Sequence, residues 1–131
     1  MIGIVLVSHS PDLAGAVAEV AAALAGPDVR IAPAGGTDDG RLGTSIDLIR
    51  SAVLDADSGA GVVMLMDMGS SVLTAKTLLM EFEDDDDAPT VRLADAPFVE
   101  GAVAAAVIAS TGQDLAAVAD AAEQGWSMRK L

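Results

Sequence analysis

A single imidazole and a handful of hydroxyl and carboxylate groups carry whatever covalent chemistry this sequence holds. His9 is the only histidine among 131 residues and there is no cysteine. Thiol nucleophiles, Cys-ligated zinc, iron–sulfur clusters and disulfide scaffolds are therefore excluded. His9 lies in Ser8-His9-Ser10, directly after an aliphatic run; Gly35-Gly36-Thr37 and Asp67-Met68-Gly69-Ser70-Ser71 each follow another such run. A carboxylate that accepts a hydrogen bond from Nδ1–H fixes the imidazole tautomer and leaves the Nε2 lone pair outward as a nucleophile. It also offsets the positive charge that develops on the ring during attack. Asp67 is the candidate for that orienting role. Ser70 and Ser71, opening a helix behind Gly69, can present hydroxyls and N–H groups to a phosphoryl group, and Ser10 and Thr37, after the other two runs, are further candidates to hold it.

The elements that must position these residues are legible in the hydropathy pattern. Ile2–Val7 is a continuous aliphatic run, the mark of a strand buried on both faces. Ser10-Pro11-Asp12 supplies an N-cap, a proline for the first turn and an acid at the positive end of a helix, whose apolar residues Leu13, Val17, Val20 and Leu24 follow at helical spacing. The unit recurs. Val29–Ala34 predicts a second strand, Thr44 or Ser45 caps a second helix with Ile46, Ile49 and Val53 on its apolar face, and Gly61–Met66 predicts a third strand. A third helix after Gly69 ends near Phe82, Thr90–Leu93 predicts a fourth strand, and Phe98–Ser110 and Asp114–Glu123 predict two more helices.

Alternation of this kind implies one α/β domain over residues 1–131, with an open, mostly parallel four-stranded sheet and helices on both faces. In such sheets ligands gather at the carboxyl ends of the strands, where the winding reverses. In the common order 2-1-3-4 the first and third strands are neighbours, so His9 and Asp67 face each other across that switch point. The acidic run Glu83–Asp87 reads as a solvated loop rather than a cation site.

Composition excludes further classes. Seven Lys and Arg against twenty Asp and Glu give a net charge of −13, which repels phosphate backbones and anionic lipid, so neither nucleic acid nor a membrane is an expected partner. Three aromatic residues cannot fill a core, so Ala, Val, Leu, Ile and Met must. No basic leader precedes the opening MIGIVLV and no apolar stretch approaches the roughly 18 residues of a spanning helix, so the chain is expected in the cytoplasm. A Ser-His-Asp hydrolase is opposed by the absence of a Gly-x-Ser-x-Gly elbow. A P-loop is opposed by the absence of its lysine in GGTDDG and MGSS.

Taken in order, IVLVSHSPDLAGAV, AGGTDDGRLGTSID, VVMLMDMGSSVLTAKTLLM and APFVEGAVAAAV resemble the phosphotransfer subunits of phosphoenolpyruvate-dependent dihydroxyacetone kinases, the DhaM family, from Ile2 to about Ser110. These are in turn similar to the IIA component of the mannose-type sugar phosphotransferase system (PTS). The resemblance implies that His9 accepts a phosphoryl group from the phosphohistidine of the small carrier HPr and passes it to ADP held in the DhaL subunit, while DhaK holds dihydroxyacetone. It also implies that Asp67 orients the ring, that the chain forms a homodimer, and that it binds no metal or cofactor of its own. Magnesium and ADP belong to DhaL. Some relatives continue into HPr-like and enzyme I-like segments; this chain ends at Leu131 and is expected to use a separate HPr.

Three rival readings stand beside this one. A sugar IIA module would hand phosphate to a IIB protein, but those carry a Trp-Gly-Gly turn where this sequence has MDMGSS. A receiver domain would place an acidic pair after its first strand and a lysine after a fifth, and neither is found. A binding module in which His9 serves only its own loop is the third.

Overall fold

The computed structural model describes residues 1–131. Four strands, β1 (Gly3–Ser8), β2 (Ile31–Gly35), β3 (Val62–Met66) and β4 (Val91–Leu93), form one sheet in the order β2-β1-β3-β4. Every pairing is parallel. Five helices connect and cover it: α1 (Pro11–Ala25), α2 (Ile46–Ala56), α3 (Gly69–Glu83), α4 (Phe98–Ser110) and α5 (Leu115–Glu123), followed by a short 3-10 turn at Gln124–Ser127.

Period-two alternation splits the apolar side chains of the central strands between two cores. Ile4 and Leu6 of β1 and Val63 and Leu65 of β3 pack against α1, α4 and α5. Val5, Val7, Val62 and Met64 pack on the opposite side against α2 and α3. The helices meet the sheet largely through alanine: α4 buries Ala102, Ala105, Ala106 and Ala109. Short side chains bring the helix axes close to the strands, which is how so few aromatics suffice.

Helix α1 divides the apolar residues named from the sequence, burying only Val17 of the four. Its buried face is Ala14, Val17, Ala18 and Ala21, whereas Leu13, Val20 and Leu24 are exposed. Both sets have helical spacing, and close packing against α4 admits only the smaller one. The second strand begins two residues later than predicted. Its edge position accounts for its partial burial. Ile4 N–H donates to the Arg30 carbonyl and Gly36 N–H to that of Ser8, so the even-numbered residues of β2 face β1. Pro33 therefore lies on the outer edge, where it removes a donor and blocks addition of another strand. Helix α3 ends at Glu83, and the acids from Asp84 to Asp87 lie in an exposed loop.

The tightest approach in the sheet is at Gly3, where a Cβ would lie 2.1 Å from the Ala56 carbonyl oxygen at the end of α2. Gly3→Ala is expected to push α2 off the sheet and cost about 1–3 kcal/mol. Urea denaturation of the two proteins checks this; an unchanged midpoint would show that α2 moves aside freely.

Candidate active site

Register brings the site together. Val7 pairs with Met66, and the Asp67 amide donates to the Val7 carbonyl at 3.0 Å. The next residue of each strand end, Ser8 on one side and Asp67 on the other, therefore meet at the carboxyl rim. The Asp67 carboxylate accepts four hydrogen bonds there. Oδ1 takes one from His9 Nδ1 at 2.9 Å and one from the Ser71 hydroxyl at 2.7 Å. Oδ2 takes one from the Ser8 hydroxyl at 2.9 Å and one from the His9 backbone amide at 3.0 Å.

These contacts bear on the tautomer of the ring. Partial burial pushes the Asp67 carboxyl up, but hydrogen bonds from Ser71, the His9 amide, the His9 ring and Ser8 outweigh it and hold the group below the usual carboxylate range. An ionised carboxylate only accepts hydrogen bonds, so Nδ1 is the donor in that contact, and in the neutral ring the lone pair falls on Nε2. Nε2 meets the hydroxyl of Ser70, which in that tautomer is the donor. The side chain of Asp67 is 6% exposed and that of His9 is 21% exposed. The acid is sealed behind the ring, and the ring reaches the surface.

The helix ends at this rim differ in what they offer an anion. At α1 the Ser10 hydroxyl accepts from Leu13 N–H, so the first turn is already capped. At α3 the N-cap residue is Met68, which gives no side-chain cap, and the first turn of that helix carries Gly69, Ser70 and Ser71. The positive end of its dipole lies beside Nε2, while the Ser71 amide already donates to the Met68 carbonyl.

The residues expected from sequence thus separate. His9, Asp67, Ser70 and Ser71 form one network, and Gly69 opens the helix beside it. Ser71 is fully buried; its hydroxyl donates to Asp67 and its oxygen lies 3.2 Å from His9 Nδ1. Thr37 lies in the β2–α2 loop, where its hydroxyl donates to Asp39 and accepts from the Arg41 amide. Ser8 was not singled out from sequence. It is fully buried, donates to Asp67 and accepts from the Ser10 amide at 3.0 Å. A polar residue ending an otherwise aliphatic buried run was the available signal, because such a hydroxyl needs partners inside. No group of three or more His, Asp or Glu side chains is arranged to hold a metal ion. No helix is long and apolar enough to cross a membrane.

A three-layer α/β sheet with a carboxylate-oriented histidine at its switch point defines a class that comparison with known proteins identifies. The sequence profile of EIIA-man, described as the PTS system fructose IIA component, matches residues 3–119, and the chain belongs to that family. Within it the chain falls among the phosphoryl donor subunits DhaM of PEP-dependent dihydroxyacetone kinases. It is 39% identical over 107 residues to the DhaM subunit of dihydroxyacetone kinase 2 from Listeria innocua, covering 82% of this chain and 85% of that one. It is also 39% identical over 118 residues to DhaM of Escherichia coli K12, covering 88% of this chain but 25% of the other. The chain therefore spans most of the Listeria subunit and a quarter of the Escherichia one. The crystal structure of EF1359, titled a protein of unknown function, superposes with a TM-score of 0.82 at 31% identity, over 95% of each chain.

The depressed Asp67 pKa has a consequence for stability. Its contribution is fully present above the ordinary carboxylate value of about 4 and is lost as pH falls through the lower folded value. Asp67→Asn is expected to lower the urea midpoint near neutral pH, with the gap from the parent protein closing as the pH is taken below about 4. A gap that stays constant from pH 7 to pH 2 would show that the carboxylate is not held in its charged form.

Proposed function

We propose that the chain is the phosphoryl carrier of a PEP-dependent dihydroxyacetone kinase and that His9 Nε2 carries the group. The observation that supports this most is the 2.9 Å contact between His9 Nδ1 and Asp67, which in the neutral ring places the lone pair on Nε2 at the rim. The Nε2 lone pair attacks the phosphorus of phosphohistidine on HPr. The N–P bond of the donor breaks, and its electron pair stays on the donor imidazole. The cationic ring formed on His9 is neutralised by Asp67. In the second step a β-phosphate oxygen of ADP, held with magnesium in DhaL, attacks the phosphorus and Nε2 leaves with its electron pair. DhaK, carrying dihydroxyacetone, is served indirectly.

Phosphoryl transfer asks the protein for alignment and for dipoles around the three equatorial oxygens. The Ser70 hydroxyl and the amides of Gly69 and Ser70 supply these, the Ser71 amide being bonded to the Met68 carbonyl. Ser71 and Ser8 hold the acid, while Ser10 and Thr37 shape the rim through their cap and loop bonds. In this reading the chain works in the cytoplasm as a homodimer and needs no metal of its own.

The test is incubation with labelled phosphoenolpyruvate, enzyme I and HPr, followed by DhaL–ADP or a IIB protein as acceptor. The parent protein is expected to take acid-labile label, His9→Gln to take none, and Asp67→Asn to label roughly 10- to 100-fold more slowly. Chase of label into ADP supports the kinase assignment. Chase into IIB alone would assign the chain to sugar transport, and label on His9→Gln would remove the histidine from the reaction.

A further inference from the structure

The loop between β2 and α2 touches both halves of the site. Gly36 N–H donates to the Ser8 carbonyl at 3.1 Å, and Gly43 N–H donates to the His9 carbonyl at 2.9 Å. Gly43 has a φ of +142°, and a Cβ there would lie 2.7 Å from the Thr37 methyl, so the chain passes the loop with no room for a side chain. The next residue reaches the other half. Thr44 Oγ1 lies 2.9 Å from Thr74 Oγ1 on α3, and the Thr74 hydroxyl lies 3.2 Å from the Ser70 carbonyl one turn back.

The protons in this chain of contacts can be counted. A threonine hydroxyl has one hydrogen to give. If Thr74 gives its hydrogen to the Ser70 carbonyl, Thr44 gives its own to Thr74 Oγ1, and each contact is satisfied once. A hydroxyl bonded to the carbonyl four residues back tilts that peptide and bends the helix locally. Here that carbonyl belongs to Ser70, whose side chain meets His9 Nε2. Residues 43 and 44 thus hold the backbone of the nucleophile with one group and the residue facing its lone pair with the next.

We infer that Thr44 and Thr74 are positioning residues: their hydroxyl pair clamps the first turn of α3 to the β2–α2 loop and so sets Ser70 against Nε2. This rests on the phosphoryl-transfer reading, in which a small displacement of Ser70 matters because alignment is most of the catalysis. Thr44→Val and Thr74→Val delete the hydroxyls at nearly constant shape; Thr44→Ser and Thr74→Ser keep the hydroxyls and delete the methyls.

The experiment follows saturation kinetics of labelling from phospho-HPr for the five full-length chains and the double valine variant, alongside the ¹⁵N imidazole spectrum of each. Each valine variant is expected to lose about tenfold in kcat with KM unchanged, and the double variant to lose no more than the slower single one, because both singles remove the Thr44–Thr74 contact. The serine variants are expected to keep at least half of the parent kcat. The Nε2 resonance should move in the valine variants and stay in the serine ones. Valine variants at parental kcat, a double loss equal to the product of the single losses, or serine variants as slow as valine would each overturn the clamp. If the parent chain takes no label, the phosphoryl-transfer reading fails by itself, and the imidazole spectra still decide whether the two hydroxyls set the surroundings of Nε2.

Discussion

The Asp67 carboxylate is the point through which the site is assembled. Its four hydrogen bonds come from three places: the hydroxyl ending β1, the amide and ring of the following residue, and the first turn of α3. Burying a charge is costly unless donors surround it, so the same four donors that hold the carboxylate ionised also fix the strand ends and the helix relative to each other. Ring orientation, tautomer and the anchoring of the first turn of α3 through Ser71 follow from that one ion. A neutral acid, or an acid one residue further along, would release all three.

The rest of the fold delivers this contact. Parallel pairing of β1 with β3 places Val7 opposite Met66, so the residue after each strand falls at the rim without a long loop. Alternation along β1 sends its apolar side chains to two separate cores, which pins the strand from both faces and prevents a one-residue slip that would reverse every side chain. Alanine-lined helices draw the layers together. The precision of the rim is thus inherited from an interior that leaves the central strands no alternative register.

Much of this was legible in the sequence because the relevant signals are local or topological. Unbroken aliphatic runs separated by capped amphipathic segments specify parallel strands and crossover helices, and the strand order then brings His9 and Asp67 together. What stayed hidden depends on packing. In α1, Leu13, Val20 and Leu24 carry the stronger hydropathy signal, yet the helix buries its alanines, because the approach to α4 decides which face fits. Ser8 and the division of labour between Ser70 and Ser71 were hidden for a related reason: neighbouring serines look alike in sequence, and only the direction of each side chain shows that one turns to the acid and the other to Nε2.

The central claim is that Asp67 keeps the proton on Nδ1 and thereby makes Nε2 the nucleophile. It is tested most directly on the phosphorylated, ¹⁵N-histidine-labelled protein by reading which ring nitrogen couples to ³¹P. Coupling to Nε2 of His9, with Nδ1 still protonated, is the predicted spectrum. Coupling to Nδ1, which would require the ring to leave the carboxylate, would contradict the account.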